Sequence, residues 1–383
     1  MSFQRKFYSG FATSKGTTRY MDNALKKGVS RSHFKNIENL ILSSVGMGTY
    51  LGNLSARDDA DLENSLHYSI KEGGINVIDS SINYRSMLSE KCIGRAISNL
   101  IEEEVIDRES VFICTKNGYV TNDGDLSKVD IDSYLELMFL NNKIISRSDI
   151  SPSYHIMNPN YISKCIDKSL CNMGLKTIDL IYIHNSFESW CNIVDKSTYY
   201  EMLSRVFQLY EDFRQKGKIN FYGMATWNCF TSKENSKGYL SLKEVIKIAN
   251  DVGGSNNGFK FIQLPFNMYL NEPYTFKNQP TETSSKATLL ESSQKYGIHV
   301  FTSVPLYQGK LLGAVLDKSP LDNLPAMSLK LLQFVRSTPG IVAPLIGQKK
   351  TSHTLENTMI SKYPTLNEIE YNSVTSILRK SDQ

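Results

Sequence analysis

An acid, a phenol, an ammonium and an imidazole stand at comparable places in this chain, each at or just beyond the end of a short apolar run. Asp79 closes the run 75–79, and Tyr84 follows five residues later in a loop leading to Ser89-Glu90-Lys91 and a helical pattern with Ile93 and Ile97 on one face. Lys116 closes the run 111–116 and His184 the run 180–184. A buried strand that ends in an ionisable side chain delivers that group to the rim of a fold, where a substrate can reach it. Together the four make a coherent acid catalyst. A phenol with a pKa of about 10 gives up its proton reluctantly at neutral pH. An ammonium beside it favours phenolate and is expected to lower that value. Lys116 would play that part, with Asp79 holding the lysine in an ion pair and His184 hydrogen-bonding a substrate oxygen. None of these groups carries electrons, so carbonyl reduction would need a hydride from a bound nicotinamide.

For these strand ends to meet, the elements between them must bring them to one face. From Leu42 onward, short apolar runs alternate with amphipathic helical stretches. The pattern predicts strands at 45–49, 75–79, 111–116, 180–184, 221–225, 261–264, 299–303 and 341–346. Helices are predicted near 58–72, 89–101, 161–173, 198–216, 241–251, 284–296, 326–336 and 352–360. Eight strand-helix units in succession predict an α/β fold, a (β/α)8 TIM barrel, because parallel strands need crossover helices and the closed barrel gathers their C-terminal ends around one site. A doubly wound sheet would carry a glycine-rich phosphate turn after its first strand, whereas VGMGTYLG (45–52) opens no helix. Outside the repeat lie an N-terminal arm, 1–41, and an insertion, 118–160, within a barrel domain spanning 42–383. The insertion has its own apolar run, 134–140, and the turn segment SPSYHIMNPN (151–160), and its length fits either a lid or a plain decoration.

Composition narrows the class of partner. At 383 residues, 40% hydrophobic and 10% aromatic, the chain can bury a large core. Lysine and arginine number 43 against 39 acids, too even a balance to predict binding to nucleic acid or to a membrane surface. The six cysteines fall at scattered spacings with no metal-ligand pattern, which reads as reduced thiols, no metal and a cytoplasmic location. No apolar run has the length of a membrane span. Residues 1–36 hold eight Lys or Arg, one acid (Asp22) and many Ser and Thr, the composition of a transit peptide. The aromatics Phe7, Tyr8, Phe11, Tyr20 and Phe34 argue instead for an arm packed on the domain.

The segments GINVIDSSINY, VFICTKNG and IDLIYIHN, with GKINFYGMATWN, FIQLPFN, GIHVFTSVPL and LIGQKKTSHTLENT, resemble the aldo-keto reductases from about residue 45 to 358. The resemblance implies that Asp79, Tyr84, Lys116 and His184 are the family's catalytic tetrad, acting with NADPH on a small-molecule carbonyl substrate. The GMATWN and RSTPG segments and the long insertion look like a bacterial and plant subgroup. ATSKGTTRY resembles that subgroup's opening. By the same resemblance, Gly48, Thr49 and Tyr50 lie near the nicotinamide and Gln263 hydrogen-bonds its carboxamide. The family's usual Ser-Asn is here Ala225-Thr226, which shifts carboxamide binding to Thr226 or Asn228. Ser303 stands where many members stack an aromatic on the nicotinamide, with Pro305, Leu306 and Gly309 continuing the cofactor loop. LIGQKKTSHTLENT reads on its own as a strand, a glycine turn with two lysines, and a helix start capped by Thr351 or Ser352, a good phosphate site. The resemblance places Lys349 at the adenosine 2′-phosphate and His353, Glu356 and Asn357 around the adenine. Two other readings stay open: a nicotinamide-sensing regulatory protein, like the potassium-channel beta subunits, and a barrel enzyme acting on a phosphorylated sugar. Oligomeric state is not legible in the sequence.

Overall fold

The computed structural model describes residues 6–126, 128–282, 285–313 and 319–381. It begins with α1 (Ser14–Lys26) and a hairpin of β1 (Phe34–Ile37) and β2 (Leu40–Ser43). The repeating part follows: β3 (Gly46–Gly48), α2 (Ala56–Lys71), β4 (Val77–Asp79), α3 (Leu88–Glu102), β5 (Phe112–Asn117), then α4 (Ile131–Leu135) in the insertion, α5 (Pro159–Met173) and β6 (Ile178–His184). After them come α6 (Ser186–Trp190), α7 (Lys196–Gln215), β7 (Ile219–Ala225), α8 (Leu242–Gly253), β8 (Phe259–Pro265) and α9 (Glu272–Thr275). The chain ends with the two-residue strands β9 (Gln279–Pro280) and β10 (Lys286–Ala287), α10 (Leu289–Lys295), β11 (His299–Ser303), α11 (Met327–Ser337), β12 (Ile341–Gly347), α12 (Thr351–Thr358) and α13 (Glu368–Ser381).

Eight parallel strands close into a barrel in the order β11-β12-β3-β4-β5-β6-β7-β8, and each lies on one of the runs predicted from the sequence. The register pairs Gly48 with Asp79, Asp79 with Cys114, Lys116 with Tyr182, and His184 with Ala225, so the ionisable strand ends rise to one rim. Below them the barrel is filled rather than hollow. Phe112 lies 5.6 Å from Phe261 and 6.4 Å from both Phe221 and Phe301 between ring centroids, forming one layer of aromatic side chains. Burying a phenylalanine is worth roughly 1.5–3 kcal/mol, so this layer is a stiff floor under the polar rim. Beside this layer, Gly223 lets the β7 backbone come close to that of β8, where their register shifts. A Cβ there would come 2.0 Å from the Phe261 carbonyl oxygen and 3.1 Å from the Tyr182 ring.

The N-terminal segment closes the opposite end. Leu40 and Leu42 pack in the same cluster as Phe112, Phe261 and Phe301, and the hairpin is stitched to the strand starts by Asn76, which accepts from Ser43 N at 2.8 Å and donates to the Ile41 carbonyl at 2.9 Å. Asp179 accepts from Ala12 N and Ile113 N and pairs with the buried Arg108 at 2.6 Å. The hairpin runs to Ser43, so the sequence boundary at 41/42 cuts its second strand. Two further differences are local. The helix predicted at 284–296 opens only at Leu289, because Thr288 and Glu291 form a reciprocal capping box there; Lys286 and Ala287 pair as strand, and Ser284 lies outside the described residues. A last helix, α13, docks by stacking Tyr371 on Phe334 of α11 at 5.5 Å. Among the described residues no helix is long and apolar enough to cross a membrane.

Candidate active site

Four strands and one loop build the site. Asp79 ends β4, and Lys116 lies near the end of β5, wholly buried. The Lys116 ammonium donates to Asp79 Oδ2 at 2.5 Å and to the Ser80 carbonyl at 2.7 Å, and it lies 3.5 Å from the Tyr84 hydroxyl. Gln263 on β8 donates to the other Asp79 oxygen at 2.8 Å. A buried ion pair holds only when the remaining lone pairs and protons are satisfied. Here both carboxylate oxygens have a donor. His184 ends β6 with its ring 6.0 Å from that of Tyr84, edge to face, and its Nδ1 3.3 Å from Ser81 Oγ. The sequence brought these four residues to one place, and the structure does assemble them.

Burial dominates the electrostatics. It pushes Asp79 above the usual carboxylate range against the pull of Lys116. Burial works to lower Lys116, but the Asp79 carboxylate and Tyr84 hold its ammonium above the ordinary value. Burial raises Tyr84 by more than Lys116 lowers it: the lysine acts in the direction expected from the sequence, but the phenol ends above its ordinary pKa. A phenol in that state keeps its proton until something takes it. Burial, with Lys116 and His155 acting the same way, drives His184 well below the usual imidazole value, so the ring is neutral at neutral pH.

The insertion contributes groups that motif reading missed. Gly118 and Tyr119 continue from β5, and Val120 N and Ile156 N bond to the Tyr154 and Gly118 carbonyls, so the ends of the insertion pair as a short ribbon. This ribbon sets the Tyr119 ring 5.1 Å from His184 and 5.2 Å from His155. His155 is buried, pushed down to about 3 by that burial, and accepts from Trp190 Nε1 at 3.1 Å. Gly118 is required at its position: its φ is +119°, and a Cβ would fall 2.3 Å from His155 Nε2. Tyr119 sits three residues beyond Lys116, and looking past each strand end, not only at it, would have found it.

The cofactor candidates are scattered along the same rim. Gly48 pairs with Asp79 and Gly347; Thr49 is buried, bonded through N and Oγ1 to the Asp79 carbonyl and through Oγ1 to Ser80 Oγ at 2.9 Å. Tyr50 is 65% exposed and sets its ring 5.1 Å from Tyr84. Thr226 is buried beside Gln263, whose carbonyl accepts from its N–H at 2.7 Å. Asn228 turns its N–H to Glu188 Oε1, which also takes those of Trp227 and Cys229. Ser303 is half-buried at the end of β11, Pro305 is buried, Leu306 packs on the core, and Gly309 has φ +85°.

At the far end of the rim, α12 begins after Lys350, not after the predicted caps Thr351 or Ser352, and among the described residues no side chain caps it and no acid lies in its first turn. An N-terminus left open in this way, beside Lys349 and Lys350, fits a phosphate. Lys349, however, is not free: its Nζ lies 2.7 Å from Asp58 Oδ2. His353 is exposed, Asn357 is buried, and Glu356 accepts from Ser328 on α11.

A closed parallel barrel whose rim joins an Asp-Lys pair, a tyrosine and a histidine defines a (β/α)8 protein with a cluster of ionisable groups at its mouth. A sequence profile of the Aldo/keto reductase family matches residues 44–379, so the chain belongs to that family. A comparison with curated protein sequences found no match. Solved structures are similar in fold: an aldo-keto reductase from Bacillus halodurans in its holo form (16% identity, TM-score 0.58, 91% of this chain and 96% of that one). An aldo-keto reductase from Klebsiella pneumoniae in complex with NADPH gives 15% identity and TM-score 0.60, over 90% and 95% of the two chains. The glycerol dehydrogenase AKR11B4 from Gluconobacter oxydans gives 18% and 0.59, over 92% and 96%.

Proposed function

We propose that this chain is an NADPH-dependent reductase of small aldehydes or ketones, with Tyr84 as the general acid. The observation that carries the reading is the Asp79–Lys116–Tyr84 arrangement, in which a wholly buried ammonium is anchored at 2.5 Å and reaches a protonated phenol at 3.5 Å. The neutral Tyr84 hydroxyl holds the proton that the carbonyl oxygen takes up. Lys116 stabilises the phenolate left behind, and Asp79 fixes Lys116 so that it does not wander to solvent. His184, neutral, hydrogen-bonds the carbonyl oxygen and orients it toward Tyr84. A bound NADPH supplies the hydride. Thr226 and Gln263 are the residues to hold its carboxamide, and the open N-terminus of α12 with Lys349 the residues to hold its adenosine phosphate. Membership of the family and the similarity to a chain solved with NADPH both support this reading.

The test is Tyr84→Phe, assayed by NADPH oxidation with a reactive diketone and by fluorescence titration of the cofactor. Turnover should fall about 10²–10⁴-fold, the usual worth of a positioned general acid, while cofactor affinity stays within about threefold. A variant that reduces the diketone as fast as the parent removes Tyr84 from the mechanism. Tight cofactor binding by the parent with no turnover on any carbonyl would favour a sensor.

A further inference from the structure

We infer that Asp58 sets the nucleotide preference of this chain by competing with the adenosine 2′-phosphate for Lys349; the inference rests on the assignment of Lys349 under the proposed function. In sequence, Lys349-Lys350 reads as two positive charges beside a helix start. The fold gives one of them an anion of its own. Asp58 lies in the first turn of α2, where Ser55 caps the helix by accepting from Asp58 N at 3.2 Å, and its carboxylate Oδ2 meets Lys349 Nζ at 2.7 Å.

That carboxylate does not depend on Lys349 for its place. The same Oδ2 accepts from the backbone N–H of Asn53. The Asn53 carbonyl is gripped by Arg85 at 2.8 and 3.1 Å, and Arg85 is itself paired with Asp59. Lys349 is held from its own side too, since its carbonyl accepts from Ser65 Oγ at 2.8 Å. Asp58 and Lys349 are therefore fixed against each other by separate anchors, and both side chains are mostly covered. Lys349 and the Asn53 N–H, acting with Arg85, also keep the Asp58 carboxyl below its ordinary pKa, so it is ionised at neutral pH.

A dianionic 2′-phosphate that approaches Lys349 thus meets an ammonium already neutralised, with a fixed negative charge one hydrogen bond away. It must share or displace the carboxylate. A ribose 2′-hydroxyl brings no charge and can donate to a carboxylate, so the unphosphorylated nucleotide escapes this cost. The pair therefore narrows the preference for NADPH over NADH that the two lysines alone would confer.

Calorimetric titration of the full chain with adenosine 2′,5′-bisphosphate and with 5′-AMP tests this without turnover. Asp58→Asn keeps an acceptor for Asn53 N–H and removes only the charge. It should tighten the bisphosphate about three- to tenfold, the scale of a partly screened ion pair, and leave 5′-AMP within about twofold. If Asp58→Asn melts early, Asp58→Ser carries the same expectation. Lys349→Ala is the control. If it weakens the bisphosphate while the Asp58 variants bind it no better than the parent, the competition is refuted. If Lys349→Ala leaves the bisphosphate unaffected, the assignment of Lys349 itself fails.

Discussion

Replacing Lys116 by methionine deletes one charge from the floor of the site and little volume. Lys116 is wholly buried and the Asp79 side chain is 5% exposed, so the carboxylate left behind keeps only the Gln263 hydrogen bond at 2.8 Å. Breaking a buried pair from one side costs about 3–5 kcal/mol, because the surviving charge has no counter-ion. In a chain of this size that is a fall in Tm of about 4–6 °C. Burial already raises Asp79 with Lys116 present, and without it the group should take up a proton. A carboxyl whose folded pKa exceeds its unfolded value contributes its full stability below the unfolded value, about 4, and loses it as pH rises through the folded one. Lys116→Met should therefore lose more stability at pH 8 than at pH 5. Adding Asp79→Asn removes the second charge and should restore most of the loss, since a buried pair and a neutral replacement of similar volume are close in free energy. On the proposed mechanism, turnover should stay at least about 100-fold down in both variants, as Tyr84 would lack the ammonium proposed to stabilise its phenolate. Chemical denaturation of parent, single and double variants at the two pH values provides the readout. A double variant no more stable than Lys116→Met, or a single variant within about 1 kcal/mol of the parent, would refute the account of the pair.

Two further predictions follow from geometry. Gly118→Ala should destabilise the chain by at least about 2 kcal/mol in urea melts, because it adds a Cβ at φ +119° and 2.3 Å from His155; by shifting Tyr119 it should also change KM across a carbonyl series more than kcat for any one substrate. Acid should unfold the protein early: His33, His155 and His184 are all lowered by burial, so each is neutral when folded and takes a proton when unfolded. Their contribution is whole above an unfolded pKa of about 6.5 and is lost as pH falls below it, by about 1.4 kcal/mol per histidine per pH unit. Stability flat between pH 7 and pH 5.5 would show that these rings are not buried neutral.

The barrel was legible because its signal is local and repeated. Apolar runs of strand length, each followed by a helical period, recur eight times; crossover helices make the strands parallel, and the lack of a glycine-rich turn opening a helix after the first strand favours the closed barrel over an open sheet. Strand-end position likewise exposed Asp79, Lys116 and His184, with Tyr84 one loop away. The hairpin's role was not legible, since nothing in residues 34–43 says that Leu40 and Leu42 face the barrel floor rather than a neighbouring helix. The late start of α10 was missed although its cause, the Thr288 and Glu291 capping box, is written in the sequence.

What the sequence determined by itself, then, is the order of elements and the kind of group each strand delivers, because periodicity and residue type are properties of short stretches. What only the tertiary structure decided is how those groups modify one another. Tyr84 is raised rather than lowered because burial, which depends on every surrounding element, outweighs a lysine 3.5 Å away. Tyr119 reaches His184 because residues 118–120 and 154–156 of the insertion pair. Asp58 meets Lys349 across 291 residues of chain. Charge and burial are sums over neighbours in space, and no spacing along the chain encodes them.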